Sequence, residues 1–294
     1  MSIFPRRQVG SYAAVVLLFL IPYTVAWGWW KFAGSSLAIG LLWRWAKPGG
    51  FAADLGIRLR REDICRGVLS LLAVGLIASY LIPGVLREHG YAPALHSNLM
   101  WKWLAVPFQT LNEEVVLRAM LLTALAHIVK VRLATSMSVA AVFMVLHFVL
   151  YLLGPAHVAL SIQSLTTLFL AGLAFNECFL ATGSIAIPYG IHLGWNLTQF
   201  GNDWIDQGST GPLREGVDFN LIEGNCWVVA LAAVFALIAV AARFRSSARP
   251  GRGSARAVAL WACDLSLART VNSAAQERGS CRFDGPRRRS RHRV

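Results

Sequence analysis

The chain has 294 residues, 56% of them hydrophobic and only 15% charged, and its mean hydropathy is +0.52. A soluble domain of this length has no core large enough to hide so much apolar surface, and the apolar runs are continuous, which excludes the alternating pattern of a membrane β-barrel. The net charge of +13 is concentrated in the last 49 residues, where 11 Arg stand against three acidic side chains; such basic ends mark the cytoplasmic face of a membrane protein, and no nucleic-acid partner is expected.

The predicted architecture is all-α, a polytopic transmembrane helical bundle of about eight spans. In chain order the expected spans are 11–30, 32–45, 67–85, 99–127, 135–153, 157–180, 184–200 and 225–242. The stretch 32–45 is marginal in length. Lys47, Arg58, Arg60 and Arg61 define a basic loop after it, and Lys130 and Arg132 a second. The loop 201–224 carries Asp203, Asp206, Glu215, Asp218 and Glu223 against one Arg214. Eight crossings put every basic loop and both termini on the cytoplasmic side and the acidic loop outside. The expected location is therefore an integral protein of the cell (inner) membrane, with the lipid bilayer itself as a partner. The tail beyond 245 is rich in Arg, Ser, Gly and Ala and is expected to be disordered. Cys65, Cys178, Cys226, Cys263 and Cys281 form no CxxC, so neither a disulfide framework nor a thiolate zinc site is suggested.

Three apolar segments carry charges or polar pairs that are costly in a membrane. The fourth expected span contains Glu113, Glu114 and Arg118. Glu114 and Arg118 are four apart and share a helix face, so an internal ion pair is expected, leaving Glu113 about 100° round the helix for other work. Phe143 and His147 share a face of the fifth span, and His192 and Asn196 a face of the seventh. Peptide hydrolysis needs a base for water, a donor for the developing oxyanion and an acid for the leaving amine. Glu113 with His147 suits the first task; His192 with Asn196 suits the second. The same Glu113, His147 and His192 offer ligands for a divalent metal such as zinc, although the spacing is not HExxH. A proton relay of a transporter is an alternative use of these groups, and a non-catalytic scaffold a further one. The absence of an evident inverted repeat weighs against transport. Asn176 and Glu177 read as a solvated helix end, His127 as interfacial and His157 as the start of a span.

The order Glu113-Glu114-xxx-Arg118, then Phe143-xxx-His147, then His192-xxx-Asn196, with Thr182-Gly183-Ser184 and Pro188 before the last pair, resembles the CPBP family of CAAX prenyl endopeptidases and related bacteriocin-processing and immunity proteins. The resemblance covers about 98–200. It implies an intramembrane endopeptidase acting on a membrane-associated peptide or protein, with Glu113 and His147 activating water, His192 and Asn196 on the oxyanion side, and Glu114 and Arg118 in support. A metal-bound water and a glutamate/histidine-activated water both suit the family; the second, which requires no cofactor, is the expectation. The domain reading is then N-terminal spans with a basic loop over 1–97, a catalytic helical core over 98–200, an extracytoplasmic loop and last span over 201–245, and the basic tail over 246–294.

Overall fold

The computed structural model describes residues 14, 17–18, 30–46, 60–94, 99–129, 131–153, 157–200, 203–206 and 215–247. Most of the expected first span, the basic loop before Arg60 and the tail from 248 lie outside these residues. Chain contacts separate a unit that runs through Phe244 and contains the site from a second that begins at Arg245.

The elements are α1 (Trp30–Ala46), α2 (Arg61–Glu88), β1 (Tyr91–Ala94), α3 (Leu99–Glu114), a π-helical segment (Val115–Leu122), α4 (Thr123–Ile128), α5 (Arg132–Leu153), α6 (Ile162–Thr182), α7 (Ala186–Phe200), β2 (Asp203–Asp206), α8 (Glu215–Glu223) and α9 (Cys226–Ser247). Among the described residues four helices are long and apolar enough to cross a bilayer: α2, α5, α6 and the part of α9 from Cys226 to Phe244. The expectation of about eight spans is thereby corrected. A run of apolar residues was counted as a crossing wherever it occurred, but α7 has only 15 residues, or ~22 Å of rise against a hydrocarbon core of ~30 Å. The stretch 99–127 is no uniform span either. Its regular helix stops at Glu114 after 16 residues and continues as a π-helix. Helix α1 is likewise too short, its apolar part running from Lys31 to Leu42. The molecule is an integral membrane protein with four qualifying helices among the described residues.

Of these four, α6 is the central one, with 44% of its apolar window buried against 17–22% for the others. Ser161 caps its first turn, accepting from the Ser164 amide at 3.1 Å. Gly183 ends it in the left-handed region at φ 64°, where a side chain would be strained. The span expected to begin at His157 thus starts at Ile162; His157 lies in the preceding irregular stretch at φ 47°. Helix α2 offers Leu69, Leu72, Leu76 and Tyr80 outward as exposed side chains and buries Val74, Ala78 and Ile82 inward.

Helices α2 and α7 meet along a glycine seam. A Cβ on Gly190 would overlap the carbonyl of Gly67, and one on Gly194 the carbonyl of Leu71; a Cβ on Gly67 would come 2.8 Å from the carbonyl oxygen of Ala186. Backbone therefore touches backbone, and the order of these contacts makes the two helices parallel. Gly190 and Gly194 share a face by their spacing of four; His192 and Asn196, two residues on, lie ~200° round the helix on the opposite face. One face of α7 is spent on close packing, and the other carries His192 and Asn196.

The other end of α2 and α7 carries β1 and β2, an antiparallel ribbon in which Tyr91 faces Asp206 and Ala94 faces Asp203. Trp204 and Ile222 pack there on Ala78, Ile82 and Leu86. At the end of the bundle remote from the ribbon, Glu177 of α6 pairs with Arg243 of α9, and the Asn176 amide donates to the Ser136 carbonyl of α5 at 2.8 Å. Both acid and amide are fully buried, so they are not a solvated helix end. They tie three helices together.

Candidate active site

The first carboxylates of the site arise where α3 gives way to the π-helical segment. Widening of the helical turns is a recurrent feature of functional positions, and here the Thr123 hydroxyl donates to the Arg118 carbonyl five residues back, at 3.4 Å. Glu113, Glu114 and Arg118 are all buried, the last two completely. Arg118 Nη1 lies 3.2 Å from Glu114 Oε1. Its guanidinium is held between two aromatic faces, 4.8 Å from the Phe143 centroid and 5.0 Å from that of Phe175, an arrangement that favours a planar cation.

Helix α7 brings His192 against this pair. Its Nδ1–H donates to Glu114 Oε1 at 2.8 Å, which directs Nε2 toward Glu113 Oε2 at 3.6 Å. Phe175 stacks on the imidazole at 5.1 Å between centroids, and Phe143 meets it edge-on at 5.9 Å. Helix α5 supplies His147. The Nδ1–H of that ring donates to the Phe143 carbonyl one turn back at 2.9 Å, and its Nε2 faces the same Glu113 Oε2 at 3.9 Å. Two imidazoles, each with its Nδ1 proton engaged by a fixed acceptor, thus aim their other nitrogens at one carboxylate oxygen. The opposite oxygen, Glu113 Oε1, accepts from the Gln109 amide at 3.4 Å.

The structure brings Glu113, Glu114, Arg118, His147 and His192 into one cluster. Asn196 sits on the His192 face of α7, and its amide donates to the Thr110 hydroxyl at 3.2 Å, one turn before Glu113. Two features escaped sequence reasoning. Gln109 and Thr110 precede the carboxylates by about one turn on the same helix, a spacing that could have flagged them. Phe175 had no signal, since one more aromatic in an apolar helix is unremarked until its ring is seen against His192. His127 falls in α4, but its side chain is outside those described.

The donor set of Glu113, His147 and His192 has the chemistry of a zinc site, with both imidazoles fixed through Nδ1 in the way metal ligands usually are. The spacing is looser. Ligand atoms on a tetrahedral zinc with bonds of ~2.0–2.1 Å lie ~3.3 Å apart, against the 3.6 and 3.9 Å found here. Among the described residues no group of three His, Cys, Asp or Glu side chains has the geometry to hold a metal ion.

Residues 95–198 match the protein family described as Type II CAAX prenyl endopeptidase Rce1-like. This stretch is similar to the CAAX-protease family domain. The match takes in α3, the π-helical segment, α4, α5, α6 and nearly all of α7, and so every residue of the cluster; α1, α2, α8 and α9 stand outside it. No curated protein and no solved structure matches the chain. The CAAX-protease-like stretch thus carries a buried His–Glu network of the kind an endopeptidase centre requires.

Proposed function

We propose that the protein is an intramembrane endopeptidase that hydrolyses a peptide bond of a membrane-associated protein or peptide with a water activated by Glu113 and His147. The observation that carries this reading is the convergence of His147 Nε2 and His192 Nε2 on Glu113 Oε2. A separation of 3.9 Å is too long for a direct hydrogen bond and of the length that a water between two acceptors spans. Neutral His147, with its proton on Nδ1, presents a lone pair at Nε2, and the Glu113 carboxylate presents another. A water donating to both is oriented for attack. The charge count favours the same role. Arg118 offsets one of the two carboxylate charges, and the remaining negative charge of the cluster suits a proton acceptor.

In the reaction Glu113 takes a proton from water, and the hydroxide adds to the scissile carbonyl carbon. The oxyanion is met by the second amide N–H of Asn196 and by His192 when its Nε2 carries a proton, both on one face of α7. The proton held by Glu113 then passes to the leaving nitrogen as the C–N bond breaks. Glu114 orients His192 as the acid of a catalytic triad orients its histidine, and is a positioning residue.

Sidedness is part of the proposal. Arg60 and Arg61 at the start of α2, Arg132 at the start of α5 and Arg243 near the end of α9 belong to the end of the bundle remote from the ribbon, while Asp203, Asp206 and Glu223 belong to the ribbon end. This asymmetry supports a cytoplasmic Arg end, both termini cytoplasmic and residence in the cell (inner) membrane. The test is to compare protein termini in membranes from cells carrying the intact protein or Glu113→Gln. New termini that appear only with the intact protein identify the substrate; identical sets of termini would remove the endopeptidase reading.

A further inference from the structure

Helix α8 lies outside the family match, in the acidic segment that sequence reasoning treated as a loop, yet it reaches the site. Phe219 is only 4% exposed and belongs to the same core cluster as Phe143, Leu117 and Leu160. Its ring lies over the His147 imidazole with centroids 6.4 Å apart and planes 29° from parallel, and against Tyr151 at 4.6 Å. Phe143, His147 and Tyr151 are successive members of one face of α5, four residues apart, and Phe143 meets the His147 ring edge-on at 4.3 Å. Phe219 enters this row from outside.

The backbone beneath Phe219 is firmly held. The neighbouring Asn220 accepts from the Ser161 amide at 2.8 Å and the Ser164 hydroxyl at 3.0 Å, and donates to the Ala159 carbonyl at 3.0 Å. One side chain thus fixes α8 to the N-terminus of α6. Two residues on, Ile222 packs with Ala78 and Ile82 of α2. The Glu223 carbonyl accepts from the Thr167 hydroxyl of α6 at 2.7 Å, and its carboxyl from the Trp195 indole of α7 at 2.6 Å. Such attachment to α2, α6 and α7 is more than a connecting segment needs.

We infer that Phe219 is a positioning residue of the active site, holding the His147 imidazole so that its Nε2 stays directed at Glu113. The hydrogen bond from Nδ1 to the Phe143 carbonyl fixes one point of the ring and leaves rotation about that point open. The rings that border the imidazole are Phe143 at 4.3 Å and Phe219 at 6.4 Å between centroids. An aromatic pair of this spacing contributes beyond its buried area, and a catalytic group displaced by about 1 Å loses on the order of 10²-fold in rate.

The inference rests on the endopeptidase reading for its kinetic arm but not for its spectroscopic one. With the full chain in one detergent, Phe219→Ala is expected to lower kcat by about 10–10²-fold with KM within about twofold. Phe219→Tyr should restore most of the rate, and Phe219→Leu, which fills the space without a ring face, should not. In parallel, ¹⁵N-histidine NMR should show His147 as a single Nδ1–H tautomer in the intact protein and as a tautomer mixture in Phe219→Ala. Should the intact protein cleave no peptide, the endopeptidase reading fails while the NMR comparison still decides this one. An unchanged His147 signal in Phe219→Ala, or equal kcat in the Leu and Tyr variants, overturns it.

Discussion

Replacing Glu114 by Gln tests the electrostatics of the site more sharply than any other single change. Arg118 is fully buried. Its three nitrogens meet no well-aligned hydrogen-bond acceptor among the described residues, and the closest opposite charge is Glu114 at 3.2 Å. Removing that charge leaves a guanidinium between two phenyl rings with only Glu113 nearby. Breaking a buried pair from one side costs roughly 3–5 kcal/mol. At about 2–4 °C per kcal/mol for a protein of this size, the melting temperature should fall by roughly 6–20 °C. The same change turns the acceptor of the His192 Nδ1 bond at 2.8 Å into a neutral amide, so turnover should fall as well. The assay is melting by intrinsic tryptophan fluorescence, alongside cleavage rate, for Glu114→Gln, Arg118→Met and the double variant. The double variant has no stranded charge and should recover most of the stability of Glu114→Gln while remaining slow. A Glu114→Gln protein that melts within 2 °C of the native one would refute the reasoning, because the cation would then be compensated by something other than Glu114.

Glu113→Gln should slow cleavage by ~10²–10⁴-fold, the usual contribution of a positioned base, with the melting temperature much less affected than in Glu114→Gln; near-normal cleavage would remove Glu113 from the base role. Asn196→Ala should cost ~10²–10³-fold in kcat, as for one oxyanion donor, and a change in KM alone would show that it only binds substrate. Gly190→Ala should destabilise by about 1–3 kcal/mol, because the new Cβ overlaps backbone that no rotamer can move, whereas Gly84→Ala, with nothing within 4 Å of the added carbon, should be tolerated; equal melting of the two would contradict the seam. Glu223 is buried, and burial raises its carboxyl from 4.5 to about 7, partly offset by the Trp195 hydrogen bond. Its folded-state pKa lies above the unfolded one, so its contribution is fully present below about pH 4.5 and is lost as pH rises through about 7. Melting of the native protein between pH 5 and 8 should therefore decline more steeply than that of Glu223→Gln, and parallel curves would show that this carboxyl does not titrate there.

The chemistry-bearing residues were the most legible part of the chain. A carboxylate or imidazole in an apolar helix is expensive wherever it lies, so Glu113, Glu114, His147 and His192 announce themselves without knowledge of the fold. The pairing of Glu114 with Arg118 was readable because it is local, four residues along one helix. The pairings of Glu113 with two imidazoles 34 and 79 positions away were not readable from spacing, since they depend on how α5 and α7 pack. The same limit hid Phe219 and Phe175, whose roles exist only across helices. Misreading of Asn176 and Glu177 has a related cause: their partners, Ser136 and Arg243, are 40 and 66 positions distant. The number of spans failed for a different reason. Hydropathy measures what a segment tolerates, and a short apolar helix packed inside a bundle tolerates the same composition as one that crosses lipid.

That last point explains where the site sits. A helix that faces lipid along its length has little room for Glu113, Glu114 and Arg118, because each charge lowers its fitness for hydrocarbon. The two elements richest in polar site residues, the α3–π-helical stretch and α7, are not among the four qualifying helices. The π-helical segment packs on α5 and α6, α7 packs on α2 and α6, and α7 is drawn so close to α2 that only glycine fits between the backbones. The seam also fixes register. Sliding α7 by one residue along α2 would move His192 by ~1.5 Å and turn it by ~100°, away from Glu113 and Glu114, and would drive a side chain into the Gly67 or Leu71 carbonyl. The sequence Gly190-Ile191-His192-Leu193-Gly194-Trp195-Asn196 therefore specifies position twice, once through the glycines that admit only one docking and once through the His and Asn that this docking delivers. Packing on one face of α7 and the placement of His192 and Asn196 on the other are the same constraint, read from two sides of a single helix.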